Sequence, residues 1–512
     1  MPRKLNRALA ILDPLTGLPR PILKTMGTVT FVTNQTMLQF FEWYLPSDAA
    51  HWKRAREQAK RLRELGFTSV WLPPAYKGAS GIQDVGYAPY DFYDLGEFDQ
   101  KGSVPTKYGT REDYLAAVRQ LQTAGLEAYC DIVFDHMMGA DEKETVSAEE
   151  DSFTDRTQEI DGPHDIEAWT RFTHPGRGAE YSGFIWDYHC FSGVDWDNRK
   201  HEHAIFEFAG KEWDSEVDKE NGNYDYLMGA NVDFSEPRVL AELDAWGRWY
   251  IDTCAPDGFR LDAVKHIHYG FFVKWLEKLR QAADRPLFAV GEFWSPNLGD
   301  LHEYLDACGG IMHLFDVPLH YALCQASRSG GNSDMRTLFD NALVKSRPAW
   351  AVTFVDNHDT QTGQALSSWV DGWFKLQAYA LILLRKEGIP CVFYGDLYGI
   401  PSQNVDPVGG GLLLLIKARE QVAYGDQIDY LDDPHIIGWT RTGDSEHVRS
   451  GLAVILTDGA GGEKKMCVGA GMAGRTFVDL LGNRPERLLL DEEGSAVFPV
   501  NDGSVSVWAS AE

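Results

Sequence analysis

Short apolar runs recur at residues 37–41, 69–72, 127–134, 258–262, 287–291, 310–315, 350–355 and 390–394. Between many of them lie longer stretches in which apolar residues return every three or four positions, at 53–65, 111–124, 238–254, 271–282, 335–345 and 373–385. Short continuous runs predict buried strands and the 3.6-residue period predicts amphipathic helices. Eight strands alternating with helices predict an α/β protein built on a (β/α)8 TIM barrel, whose active site lies at the C-terminal ends of the strands.

The alternation breaks twice. Residues 137–233 are far longer than a βα loop, are rich in Gly, Asp, His and aromatics, and lack helical periodicity, which predicts a β-rich domain inserted between strand 3 and helix 3. Beyond residue 427 short alternating stretches at 436–440, 450–457, 465–469, 496–500 and 505–509, separated by Gly, Asp and Asn turns, predict a C-terminal antiparallel β-sandwich. The expected organisation is therefore an N-terminal extension (1–35), a first barrel segment (36–136), the insert (137–233), a second barrel segment (234–426) and the sandwich (427–512). The extension holds Pro14, Pro19 and Pro21, and poor order is expected for it.

The net charge of −28 argues against nucleic acid or an anionic membrane as partner and favours a neutral one. Much of the excess lies in residues 141–167, where eleven acids face Lys143 and Arg156, and a solvated loop is the expectation for that run. The seven cysteines are odd in number, form no CxxC pair, and several sit inside apolar runs, which implies a reducing compartment. Arg3, Lys4 and Arg7 give the N-terminus a basic character that leaves an organellar transit peptide open, but the apolar run 8–12 is too short for a secretory signal. No stretch reaches membrane-spanning length; the free-cysteine pattern and the lack of a secretory signal lead to the expectation of a cytoplasmic protein, and a monomer is expected.

Three of the apolar runs lead into carboxylates: Asp262, Glu292 and Asp359. An acid at the rim of a buried sheet opposes folding, so its presence points to chemistry. Retaining glycoside hydrolysis needs two carboxyl groups about 5 Å apart, which adjacent parallel strands supply. Arg260 lies two residues before Asp262 and shares its face of the strand, where the cation would keep Asp262 ionised and nucleophilic. Glu292, close to other carboxylates, should be held protonated for the leaving oxygen, with Asp359 as third member.

Four segments in order, Asp131-Ile-Val-Phe-Asp-His136, Gly258-Phe-Arg-Leu-Asp-Ala-Val-Lys-His266, Val290-Gly-Glu-Phe-Trp294 and Phe354-Val-Asp-Asn-His-Asp359, resemble the α-amylase family of retaining glycoside hydrolases. Further likeness through Gln39-Phe-Phe-Glu-Trp-Tyr44, Asp84-Val-Gly-Tyr87, residues 221–228 and Tyr394-Gly-Asp396 extends to bacterial liquefying and fungal intracellular members, over residue 36 to the end. The resemblance implies endo-hydrolysis of α-1,4 bonds in starch- or glycogen-type glucans, with Asp262 as nucleophile, Glu292 as general acid/base and Asp359 as transition-state stabiliser. It also implies sugar contacts from His136, His358 and Tyr87, and leaving-group contacts from Lys265 and His266. Trp43 and Trp294 suit rim packing as well as sugar stacking. A 4-α-glucanotransferase would use the same residues, and an inactive glucan-binding relative would be expected to have lost the acids.

The same resemblance implies one structural Ca2+ between barrel and insert, held by Asp135, Asp225, Asn231 and the backbone carbonyl of His266, with Asp214 nearby. Compared with bacterial members, Asp135 replaces Asn and Asn231 replaces Asp, so the ligand charge is kept. Ser192 and Ser235 stand where a second, multi-ion cluster would need Asp, and the loss of that cluster is expected, with only Asp233 and Asp214 remaining.

Overall fold

Eight parallel strands close into a barrel: β1 (Met37–Gln39), β2 (Ser69–Leu72), β3 (Glu127–Ile132), β4 (Gly258–Leu261), β5 (Phe288–Gly291), β6 (His313–Phe315), β7 (Ala351–Phe354) and β8 (Ile389–Phe393). Each pairs with its sequence neighbour, and β8 returns to β1 through Met37↔Cys391. This computed structural model describes residues 34–511; residues 1–33 of the expected extension lie outside the described residues. Asn34 is already tied in, its Nδ2 donating to the carbonyls of Arg419 and Ala423 at 2.9 and 3.0 Å.

The helices cover the barrel through the stripes that their periodicity dictates. In His51–Leu65 the buried residues Trp52, Ala55, Ala59 and Leu62 fall on one face, and Gly66 ends the helix in the left-handed region at φ 109°. Pro237–Cys254 starts on a proline and buries Val239, Leu243, Trp246 and Tyr250. The helix expected over 335–345 is instead a 3-10 turn, Met335–Thr337, and a separate short helix, Leu343–Ser346. Asp316, buried beneath it, accepts from the N–H groups of Leu343 and Val344 at 3.0 and 2.8 Å, which sets a new helix start inside the run.

The insert folds on a six-stranded sheet whose edge strand His136–Met137 leaves the barrel directly after β3 and pairs with Ala230–Val232, where the chain returns. The acidic run 141–167, expected as a solvated loop, belongs to a long antiparallel hairpin of Glu142–Asp151 and Glu159–Arg171. Val146, Ala148, Ile166 and Ala168 alternate inward while many of the acids face water. Glu and Asp are poor strand formers, so the outward face masked the period-two core face. The C-terminal sandwich packs a six-stranded sheet against the pair Gly462–Cys467 and Ser495–Val500. Its strands Gln427–Tyr430, Thr476–Asp479 and Arg487–Leu489 are short, and the first and third are largely solvent-facing, so they carry little apolar alternation.

All seven cysteines are unpaired, six of them buried. Among the described residues no helix is long and apolar enough to cross a membrane.

Candidate active site

Arg260 is the hub of the barrel mouth. Fully buried on β4, its Nη1 donates to Asp131 Oδ1 at 2.9 Å and to Asp262 Oδ1, and its Nη2 lies 3.5 Å from Glu292 Oε2. The β4–β5 register pairs Leu261 with Gly291, and Glu292 N donates to the Leu261 carbonyl at 2.9 Å, so the ladder runs on until Asp262 and Glu292 stand side by side. Neighbouring strands are about 4.8 Å apart, and a retaining pair of carboxyl groups needs about 5–5.5 Å, so adjacent strands suit such a pair. Ala263 then takes a left-handed conformation, φ 50°, unfavourable for a residue with a Cβ, and the turn aims its N–H at Glu292 Oε2, 2.9 Å away. Arg260 Nε and Nη2 make no hydrogen bond.

Burial is the main reason that Glu292 and Asp359 hold protons. It raises Glu292 to about 8, with Asp262 and Asp359 adding to the rise and Arg260 opposing it. It also raises Asp359 to about 7, again against Arg260 and with Asp262 and Asp131 adding. Like-charge crowding, the expected cause for Glu292, is thus the smaller contribution.

An aromatic wall lines the other side. Tyr87 stacks on His358 with centroids 4.9 Å apart, and Trp43 lies parallel to Tyr87 at 5.9 Å. Tyr87 OH and Trp71 Nε1 both donate to Asp131 Oδ2, at 2.7 and 2.9 Å, so the wall is bonded to the Arg260 hub. Gln39 Nε2 donates to His358 Nδ1 at 3.0 Å, and burial pushes His358 well below its ordinary pKa. The ring is therefore neutral with its proton on Nε2, 3.3 Å from Asp359 Oδ2. Both nitrogens of His136 have partners within the protein: Nε2 donates to the Tyr87 carbonyl at 2.9 Å and Nδ1 meets Asp135 Oδ2 at 3.1 Å.

At the opposite rim Lys265 Nζ donates to Glu220 Oε2 at 2.7 Å and to the Trp294 carbonyl at 3.1 Å. Trp294 is fixed in turn by its Nε1 bond to Tyr321 OH, 3.1 Å. His266 Nδ1 donates to the Tyr224 carbonyl at 2.6 Å, and burial beside Lys265 drives its pKa well down. Asp131, Gln39 and Glu220 were not singled out as site residues from sequence; an acid inside the apolar run 127–134 was the available signal for Asp131 alone.

Beneath this rim the structure brings together Asp135, Asp225 and Asn231. Asn231 Nδ2 donates to Asp225 Oδ2 at 3.2 Å and to Ser192 Oγ at 2.8 Å, while Asp135 Oδ1 and Asn231 Oδ1 are buried without a partner. Two orphaned oxygens beside a buried carboxylate are a donor set that fits a hard cation. Asp214 turns its carboxylate away, to His268 Nδ1 at 3.1 Å and to Glu216 N at 2.7 Å, and only its N–H reaches Asp225. Among the described residues no three His, Cys, Asp or Glu side chains are grouped to hold a metal, so a cation here would rest on two acids, an amide oxygen and backbone. Asp233 is held by the Lys211 ammonium and by Ser235 Oγ.

Comparison with known proteins places these features in context. The α-amylase catalytic-domain family matches residues 52–460. An α-amylase of Geobacillus stearothermophilus is 54% identical over 477 residues, covering 93% of this chain and 87% of the relative. The cytoplasmic α-amylase of Escherichia coli is 45% identical, covering 94% and 99%. Among solved structures, the α-amylase of Geobacillus thermoleovorans complexed with acarbose aligns with a TM-score of 0.62 at 18% identity, over 94% of this chain and 98% of that one, a likeness of fold. The chain belongs to the α-amylase family of glycoside hydrolases.

Proposed function

We propose that this α-amylase cleaves internal α-1,4 bonds of starch- or glycogen-type glucans by double displacement with retention. The observation that carries this reading is one guanidinium, Arg260, shared by Asp262 and Glu292 on adjacent strands. Asp262 attacks the anomeric carbon while Glu292 gives its proton to the leaving oxygen; water, deprotonated by Glu292, then releases the sugar from Asp262. Asp359 binds hydroxyls of the distorted ring and stabilises the oxocarbenium-like transition state, with neutral His358 donating beside it. Tyr87 and Trp43 form the platform under that sugar, and His136 braces Tyr87 from behind. Lys265, His266 and Trp294 flank the leaving-group side.

Maltoheptaose digestion followed by chromatography tests this reading. Products shorter than the substrate are expected, with the new reducing end in the α configuration. Early products longer than maltoheptaose would instead identify a 4-α-glucanotransferase, in which a sugar hydroxyl replaces water.

A single Ca2+ held by Asp135, Asp225, Asn231 and the His266 carbonyl is part of the proposal, supported by the two unpartnered oxygens. Bound there, it would fasten insert to barrel beside the site; the Lys211 ammonium against Asp233 argues against a further ion. An ion present at 100 times its Kd adds about 2.7 kcal/mol to stability, so a chelator is expected to lower Tm in the wild type but not in Asn231→Ala. Metal analysis after dialysis should return one ion per chain; two or more, or a Tm indifferent to chelator, would contradict the site. A cytoplasmic location is supported by the unpaired cysteines and by the name of the Escherichia coli relative.

A further inference from the structure

A buried ion cluster lies behind the turn that carries His358 and Asp359, and the chemistry above does not use it. Lys375 Nζ sits 2.6 Å from Asp356 Oδ2 and 2.5 Å from Asp396 Oδ1, and all three side chains are at most 3% exposed. Its ammonium also lies 3.4 Å from the centroid of the Trp369 ring. On the far side Asp396 Oδ2 accepts from Tyr379 OH at 2.6 Å, and Tyr379 OH accepts from Phe393 N at 3.3 Å. On the near side Asp356 Oδ1 accepts from Thr360 Oγ1 at 2.7 Å. Thr360 Oγ1 accepts from Asn357 N at 3.0 Å, and Asn357 Oδ1 accepts from the N–H groups of Asp359 and Thr360 at 3.0 and 2.9 Å. An unbroken chain of bonds thus runs from Lys375 through Asp356, Thr360 and Asn357 to the backbone of Asp359.

A cluster of two carboxylates and one ammonium, removed from water, is a poor way to stabilise a fold, since apolar residues of the same volume often serve equally well or better. Its bonds are directional, however, and directional bonds fix a turn more tightly than apolar packing does. Within the turn 356–360 the Thr360 hydroxyl links Asp356 to the Asn357 backbone, and Asp356 in turn is anchored by Lys375 and by the N–H of Val370.

We propose that Lys375 is a positioning residue: through Asp356 and Thr360 it sets the turn that aims the Asp359 carboxylate at the reacting sugar, without itself touching substrate. The inference rests on the reading of Asp359 as a transition-state group. Its effect should therefore fall on kcat and leave KM nearly unchanged, because Asp359 acts on the distorted ring more than on the bound ground state.

Removing Lys375 alone would strand two buried carboxylates and threaten folding, so the test cuts the chain of bonds elsewhere. Thr360→Val, nearly isosteric, severs Asp356 from the turn and is expected to lower kcat on maltoheptaose by about 100-fold, the cost of a misplacement near 1 Å. Tyr379→Phe removes the hydroxyl that bonds Asp396 and Phe393 N on the far side and should lower Tm to a similar degree with kcat within about twofold of wild type. The double variant Lys375→Met with Asp356→Asn removes one charge of each sign and should match the Thr360→Val loss; adding Thr360→Val to it should cost no more than about twofold further. Equal kcat losses in Thr360→Val and Tyr379→Phe, or full additivity, would reduce the cluster to a structural support and overturn the proposal. Asp359→Asn separates the two readings. A loss there without one in Thr360→Val contradicts the positioning role, whereas a loss in Thr360→Val without one in Asp359→Asn contradicts the role given to Asp359.

Discussion

Replacing Asp262 by Asn is expected to lower kcat on maltooligosaccharides by about 10⁴-fold or more, the scale on which enzymes lose rate when a covalent nucleophile is removed. The amide keeps the shape of the side chain but cannot form the glycosyl ester. Folding should survive, because Arg260 retains its 2.9 Å bond to Asp131 and its neighbour Glu292. The substitution also removes a negative charge that raises Asp131, Glu292 and Asp359, so all three should titrate lower in the variant. Steady-state kinetics with a thermal melt on the same protein checks both halves: an unchanged kcat with an unchanged Tm would remove Asp262 from the chemistry.

The second large effect is on the pH profile. Glu292 must enter the reaction protonated, and burial raises it to about 8, so kcat/KM should fall as pH rises through about 8. Asp359 must be ionised to stabilise positive charge at the sugar, and burial raises it to about 7, so the acid limb should lie near 7. The optimum is thus a narrow window between these limbs. Glu292→Gln should cost about 10²–10⁴-fold in rate and abolish the alkaline limb, since the amide has no proton to lose. In Asp359→Asn a negative neighbour that raises Glu292 is gone, so the alkaline limb of the residual activity should move to lower pH. An alkaline limb that persists in Glu292→Gln, or moves upward in Asp359→Asn, would assign the acid role elsewhere.

The barrel was legible because each strand is a short run buried on both faces, and the catalytic acids because they end or follow such runs. Asp262, Glu292 and Arg260 lie within one pair of neighbouring strands, where period two and parallel pairing are enough to bring them together. The hairpin of Glu142–Asp151 and Glu159–Arg171 was hidden for the opposite reason: its acids belong to a water-facing side, and a core side of Val146, Ala148, Ile166 and Ala168 is too sparse to announce a strand. Contacts across long sequence distances were illegible as well. Gln39 fixes the tautomer of His358 from 319 residues away, and both nitrogens of His136 are taken by partners that only folding supplies. The cation cradle was half legible: a shared motif suggests Asp135, Asp225 and Asn231, but only packing reveals that Asp214 turns to His268.

The central claim is that Asp262 bonds covalently to the sugar. Glu292→Gln slows release of the glycosyl group, so incubation with α-maltosyl fluoride, whose leaving group needs no acid, should trap the intermediate. Tandem mass spectrometry of a peptic digest is expected to find one maltosyl ester on the peptide that contains Asp262, absent when Asp262→Asn is added. A sugar ester on Asp359 or another acid, or release of β-configured maltose with no adduct, would contradict the account.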